Sequence, residues 1–142
     1  MIKQNIVFVE NKAGSLKRVT NILANNDINI YGFACFDAPE FAIFRMICND
    51  PDKAEIILNQ SGYMNRITQA IVVDMKDQVG GLDELLKVLA DSNVSLDYIY
   101  TSFHRKDLIP VVILHSEDIT VTESVLKNNG FKVFTSVDDL EK

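Results

Sequence analysis

The sequence repeats itself, and the repeat limits the fold more than any single segment does. Val7-Phe8-Val9-Glu10-Asn11-Lys12-Ala13-Gly14-Ser15-Leu16 aligns with Val73-Asp74-Met75-Lys76-Asp77-Gln78-Val79-Gly80-Gly81-Leu82, and the match continues from Leu23-Ala24-Asn25 to Leu89-Ala90-Asp91. Further on, Leu58-Asn59-Gln60-Ser61-Gly62-Tyr63 aligns with Leu126-Lys127-Asn128-Asn129-Gly130-Phe131. Paired glycines stand 66 residues apart in the first match and 68 in the second, so one short insertion in the second copy reconciles them. Two copies point to a pair of small domains, residues 1–68 and 69–142, because stacked solenoids need three or more repeats to be stable. A unit of about 70 residues folds only marginally alone, so each copy is expected to lean on the other or on a second chain.

Periodicity gives the order of elements within a copy. The β-rich run Ile2 to Val9 ends in a polar loop, and Leu16, Val19, Ile22 and Leu23 then recur at helical spacing up to the turn residues Asn25-Asn26-Asp27. Ile28 to Phe36 and Phe41 to Cys48 flank a Pro39-containing turn and read as a hairpin. A helix opening at Pro51 and closed by Gly62, then a weak strand from Tyr63 to Thr68, complete the copy. The second copy runs the same way: strand 70–75, a helix carrying Leu82, Leu85, Leu86 and Leu89, strands 94–103 and 108–115, helix 118–129, and a closing strand 131–135. The fold class is therefore α+β, two ferredoxin-like βαββαβ units with antiparallel sheets and helices on one face. The acidic tail from Ser136 is expected to fray.

Charge and residue usage exclude several functions. A net charge of −6 with no basic stripe argues against nucleic acid and against anionic membrane. The apolar run at the N-terminus is too short for a signal peptide or a membrane span, which predicts a cytoplasmic protein. Cys35 and Cys48 lack metal spacing; a hairpin placing Cys35 opposite about Ala42 and Cys48 opposite about Asn29 keeps them too far apart to bridge, so both are expected as free, half-buried thiols. His104 and His115 fall at a hairpin turn and a strand end, where they read as solvated imidazoles and not as a metal pair. No nucleophile, base or acidic pair recurs in both copies. No catalytic residue, metal or cofactor is expected.

What does recur is a strand-loop-helix junction with Gly14 or Gly80 just before the helix. Glycine permits a tight turn and close approach of a ligand, and a helix start presents N–H groups to an anion. Plain turn formation explains the same glycines equally well.

The stretch Glu10-Asn11-Lys12-Ala13-Gly14-Ser15-Leu16, followed by Asn29-Ile30, resembles the ACT domain, a regulatory module that binds amino acids. Copy two carries the pattern as Asp77-Gln78-Val79-Gly80-Gly81-Leu82, so the chain resembles a tandem ACT protein. The proline of the family pattern is replaced by Ala13 and Val79. In serine-binding members, asparagines three residues before the glycine and at the start of the second strand hold the ligand; Asn11 and Asn29 match them, with Asp77 and Ser95 as the counterparts in copy two. Asn29 also reads as a turn residue after Asn26-Asp27. The resemblance thus implies a ligand-binding set of Asn11, Lys12, Ala13, Gly14, Ser15, Leu16, Asn29 and Ile30 in copy one, and Asp77, Gln78, Val79, Gly80, Gly81 and Ser95 in copy two. Lys17 and Arg18 favour a carboxylate at the first junction, whereas Asp83 and Glu84 repel one at the second. Asp77 would instead suit a ligand ammonium.

Family members bind ligand between two ACT units, which implies a homodimer or an equivalent pairing within the chain. The expected function is binding of a free amino acid at the first strand-helix loop and domain interface, read out by a partner enzyme in trans. A ligand-independent interaction or assembly protein on the same fold is the alternative. An acylphosphatase-like hydrolase is disfavoured, since the loop from Glu10 to Ser15 has no phosphate-holding arginine. Arg45, expected opposite about Gly32, reads as a residue of the open sheet face.

Overall fold

The computed structural model describes residues 1–141. The chain divides into two compact units, Lys3–Thr68 and a second that runs from Gln69 onward and takes in Met1 and Ile2.

In the first unit, strand β1 (Ile2–Glu10) leads into helix α1 (Ser15–Asn25), the hairpin β2 (Ile30–Asp37) and β3 (Phe41–Cys48), helix α2 (Pro51–Gln60) and the start of β4 (Asn65–Asp74). The strand order is β2-β3-β1-β4. β3 is antiparallel to both neighbours, and the Phe8 N–H donates to the Met64 carbonyl at 3.0 Å where β4 comes alongside β1. Strand alternation sends Val7, Val9, Phe44, Met46 and Cys48 to one face, where they meet Val19 and Leu23 of α1 and Ala54 and Leu58 of α2. Leu23, Phe44, Met46 and Leu58 are fully buried. Each such side chain contributes about 1.5–3 kcal/mol over its exposed state. Asp50 caps α2 by accepting from the Lys53 N–H at 3.1 Å, and Pro51 fills the position where its missing N–H costs nothing.

The second unit repeats the plan with the rest of β4, helix α3 (Gly81–Asp91), β5 (Leu96–Phe103), β6 (Pro110–Ser116) and helix α4 (Ile119–Asn128). β6 is antiparallel to β4 and to β5. Ile71, Val73, Val112 and Leu114 pack against Leu85, Leu89 and Leu126 of the two helices.

The expected order holds, with local corrections. The segments 63–68 and 70–75, which the sequence runs together almost without a break, join as one strand, β4, over Asn65–Asp74. The hairpin register lies two residues beyond the expected one: Cys35 faces Phe44 and Arg45 faces Ala34, because the Ala38 N–H bonds to the Phe41 carbonyl at 2.7 Å and centres the turn on Pro39-Glu40. A two-residue slip keeps every side chain on its face. An irregularity between Ile30 and Gly32 then pairs Cys48 with Ile30. The closing strand 131–135 is reduced to a single bridge, Val73 to Val133, although the Phe134 N–H still donates to the Val72 carbonyl at 2.8 Å. The tail does not fray over its described part. Val137–Leu140 is a 3-10 helix, Leu140 is buried, and its carbonyl accepts from the Arg105 N–H at 2.9 Å.

Candidate functional site

The junctions after β1 and within β4 to α3 are built alike. Gly14 and Gly80 stand at the N-caps of α1 and α3 with φ of 81° and 84°, a left-handed conformation that glycine adopts without steric cost. Neither cap has a side chain to bond the first-turn N–H groups. Around them the loops fold back the same way: Lys12 N–H to the Glu10 carbonyl at 2.9 Å and Gln78 N–H to the Lys76 carbonyl at 2.9 Å, then Arg18 N–H to Gly14 and Glu84 N–H to Gly80.

Asn11, Lys12, Ala13, Gly14 and Leu16 are exposed, while Ser15 is buried at the helix start. Asn11 donates to the Ala38 carbonyl at 3.3 Å, so it lies at the turn end of the β2-β3 hairpin. Asn29 precedes β2 at the other end. Its main chain is held by Asn49, which accepts from the Asn29 N–H at 2.9 Å and returns a bond to its carbonyl at 3.1 Å. The eight residues of β2 separate the two asparagines, roughly 25 Å at the strand rise. One unit therefore does not bring Asn11 and Asn29 together, and Ile30 goes with Asn29. In the second unit Asp77, Gln78, Val79 and Gly80 are exposed around the loop and Gly81 is buried, whereas Ser95 sits at the far end, in a cavity shared with Ser116 and Asp118.

Two cavities open beside the junctions. One of about 360 Å³ in the first unit is lined by Phe8, Glu10, Ser15 and Arg18 and by the Gly62-Tyr63-Met64 turn. Another of about 490 Å³ in the second unit touches Asp74, Lys76, Asp77, Glu84 and the Gly130-Phe131-Lys132 turn. Sequence reasoning passed over the turns that wall both cavities, although the repeat of Gly62-Tyr63 as Gly130-Phe131 was the signal for them.

Electrostatics differ between the junctions. Lys12, hydrogen-bonded to Glu10 at 3.0 Å, holds that carboxyl below its ordinary pKa, with Arg18 adding a smaller pull. Burial pushes the Asp74 carboxyl up, against the opposing pull of Lys132 and His104. His104 is not a solvated imidazole: its side chain is 12% exposed, and Nε2 lies 2.7 Å from the Asp139 carbonyl oxygen and so carries a proton. Its Nδ1 is 3.0 Å from Asp107 but poorly aligned with it. His115 pairs with Asp97 at 2.7 Å and stacks on Tyr98. Cys35 is exposed and Cys48 buried, both are free, and burial pushes the Cys48 thiol up to about 11. Arg45 is half-buried on the face of the sheet away from the helices. Among the described residues no cluster of His, Cys, Asp or Glu could hold a metal ion, and no helix is long and apolar enough to cross a membrane.

The sequence profile of a family described as an ACT domain pair matches residues 1–140. Among solved structures, a protein of Bacteroides thetaiotaomicron is 28% identical, with a TM-score of 0.89 over 99% of this chain and 96% of its own. The ligand-free regulatory subunit of aspartate kinase from Thermus thermophilus shares the fold at 13% identity, with a TM-score of 0.62 over 90% of this chain and 91% of its own. The aspartokinase alpha and beta subunits align at 18% identity, with a TM-score of 0.60 over 89% and 90%. No curated protein gives a significant match.

Proposed function

The chain belongs to the ACT domain pair family, and from that premise we propose that it is a regulatory, non-catalytic module that binds a free amino acid at its strand-helix junctions and acts on a separate partner enzyme. The observation that carries this reading is the pair of left-handed glycines, Gly14 and Gly80, at uncapped helix starts. Such a start leaves N–H groups for a carboxylate, and the absence of a side chain at the cap lets it approach. The first junction is the better carboxylate site, since α1 has no acidic residue in its first turn while α3 has Asp83 and Glu84. A ligand held by both amides takes Asn11 of one chain and Asn29 of a second, which makes a homodimer part of the proposal. The resemblance in fold to a regulatory subunit of aspartate kinase supports action in trans without naming the enzyme acted upon.

Thermal unfolding against the twenty amino acids tests the reading. A ligand at one hundred times its Kd adds about 2.7 kcal/mol, a rise of a few degrees for a chain of this size. The expected result is a shift for one or a few amino acids that is lost in Asn11→Ala. No shift across the set would overturn the reading and favour the assembly protein.

A further inference from the structure

Six of the seven residues lining the first cavity have their repeat counterparts in the lining of the second, and at two of these positions the charges are exchanged. Glu10 and Arg18 in the first stand where Lys76 and Glu84 stand in the second, while Gly62-Tyr63 and Gly130-Phe131 form the same wall. In the second unit the exchanged pair closes on itself, Lys76 Nζ lying 3.3 Å from Glu84 Oε1. The loop there also fills the place of a side chain: a Cβ added at Gly81 would lie 2.0 Å from the Lys76 carbonyl oxygen.

The first unit is left with donors in excess. Glu10 is engaged by Lys12 at 3.0 Å. Arg18 makes no ion pair among the described residues, and its guanidinium bonds only the Ser15 hydroxyl, Nη2 to Oγ at 3.2 Å. Ser15, which occupies the Gly81 position, is 3% exposed and lines the cavity. Its oxygen accepts from Arg18, and its own proton has no acceptor among the described residues. A buried hydroxyl proton and a guanidinium thus face one cavity whose remaining wall is Phe8, Gly62, Tyr63, Met64 and the Lys12-paired Glu10. Donors of this kind suit a carboxylate, and the wall suits an apolar group attached to it.

We propose that the first unit's cavity binds a small carboxylate with an apolar side group, through Arg18 and Ser15, and that the second unit's cavity does not, giving one ligand per chain. This rests on the sensor reading for its ligand class and departs from it in the residues that hold the ligand.

Calorimetry on the full chain tests it, with leucine, isoleucine, methionine and phenylalanine as probes beside the corresponding acids that lack the amino group. The expected result is one site per chain for at least one probe, weakened about tenfold or more by Arg18→Met and less by Ser15→Ala. Glu84→Gln in the second cavity should leave affinity and stoichiometry unchanged. The proposal falls if no probe binds, if Arg18→Met binds as tightly as the wild type, or if two sites fill per chain. An amino acid whose binding survives Arg18→Met but not Asn11→Ala overturns the Arg18 cavity and leaves the sensor standing. An acid bound through Arg18 when no amino acid binds does the reverse. The difference between an amino acid and its deaminated partner tells whether the ammonium is recognised as well.

Discussion

Asp74 stands where the first unit has Phe8, so one position of the fold carries a carboxyl in one copy and a ring in the other. Half-buried, it is pushed above the ordinary Asp value of 3.8, chiefly by desolvation, and Lys132 and His104 only partly offset this. A carboxyl whose folded pKa is raised binds its proton more tightly in the native state. Its penalty is therefore absent below the unfolded value and grows as pH rises through the window just above 3.8. Asp74→Asn should then raise the thermal midpoint at pH 7, and the gain should vanish near pH 3; calorimetric scans at the two values check both. A lower midpoint at pH 7 would mean that the attraction of Lys132 outweighs burial. Sequence alone reached little of this chemistry. His104 read as a solvated turn residue, yet it is covered because the 3-10 helix from Val137 brings the Asp139 carbonyl onto its ring. That contact joins residues 35 apart, and no local pattern encodes it. Ser15 and Arg18, by contrast, were visible in the first strand-helix junction.

Elements were more legible than their edges. Helical spacing of Val19 and Leu23, and of Leu85 and Leu89, located the buried stripes of α1 and α3. Gly62 and Gly130 are both left-handed, with φ of 86° and 84°, as helix-closing glycines should be. The hairpin register escaped by two residues because hydrophobic alternation fixes the face of a strand but not its slip along the partner. The closing strand 131–135 shrank to one bridge because pairing with β4 is a tertiary contact that β propensity only permits. The tandem glycines of the second junction separate two physical roles. Gly80 has a positive φ and nothing within 4 Å of an added Cβ, whereas Gly81 has no positive φ but faces the Lys76 carbonyl at 2.0 Å. Gly80→Ala should cost only the backbone strain, about 1–2 kcal/mol. Gly81→Ala must move main chain, and we expect the larger loss, about 2–4 kcal/mol, by denaturant unfolding. Equal losses would show that the loop relaxes freely.

At the scale of the molecule, the duplication carried the architecture: it supplied the element order twice and so checked each reading against its copy. It also exposed the change of charge from Arg18 to Glu84, but not that Lys76 closes on Glu84 while Arg18 is left with the Ser15 hydroxyl, because those pairings are tertiary contacts. Nor does it say what covers an edge. Among the described residues β2 ends the strand order of the first unit and pairs on one side only, and Phe33 and Phe36 along it are 61% and 50% exposed. Unpaired backbone beside exposed rings is a costly surface for a monomer, and pairing with a second β2 would bury both. The same pairing is what the proposed ligand site asks for, since Asn11 and Asn29 lie at opposite ends of one unit. Sedimentation equilibrium should therefore show a dimer at micromolar concentration. Phe33→Glu places a charge at the centre of that contact and should weaken association more than about tenfold. Because Phe33 is mostly exposed, the variant should keep its circular dichroism, and at dilutions where both proteins are monomeric its unfolding free energy should match the wild type to within about 0.5 kcal/mol. A wild-type monomer, or a dimer indifferent to Phe33→Glu, would move the interface off β2 and with it any site shared by Asn11 and Asn29. A cavity site built on Arg18 and Ser15 would be untouched by that result, since all its residues belong to one unit.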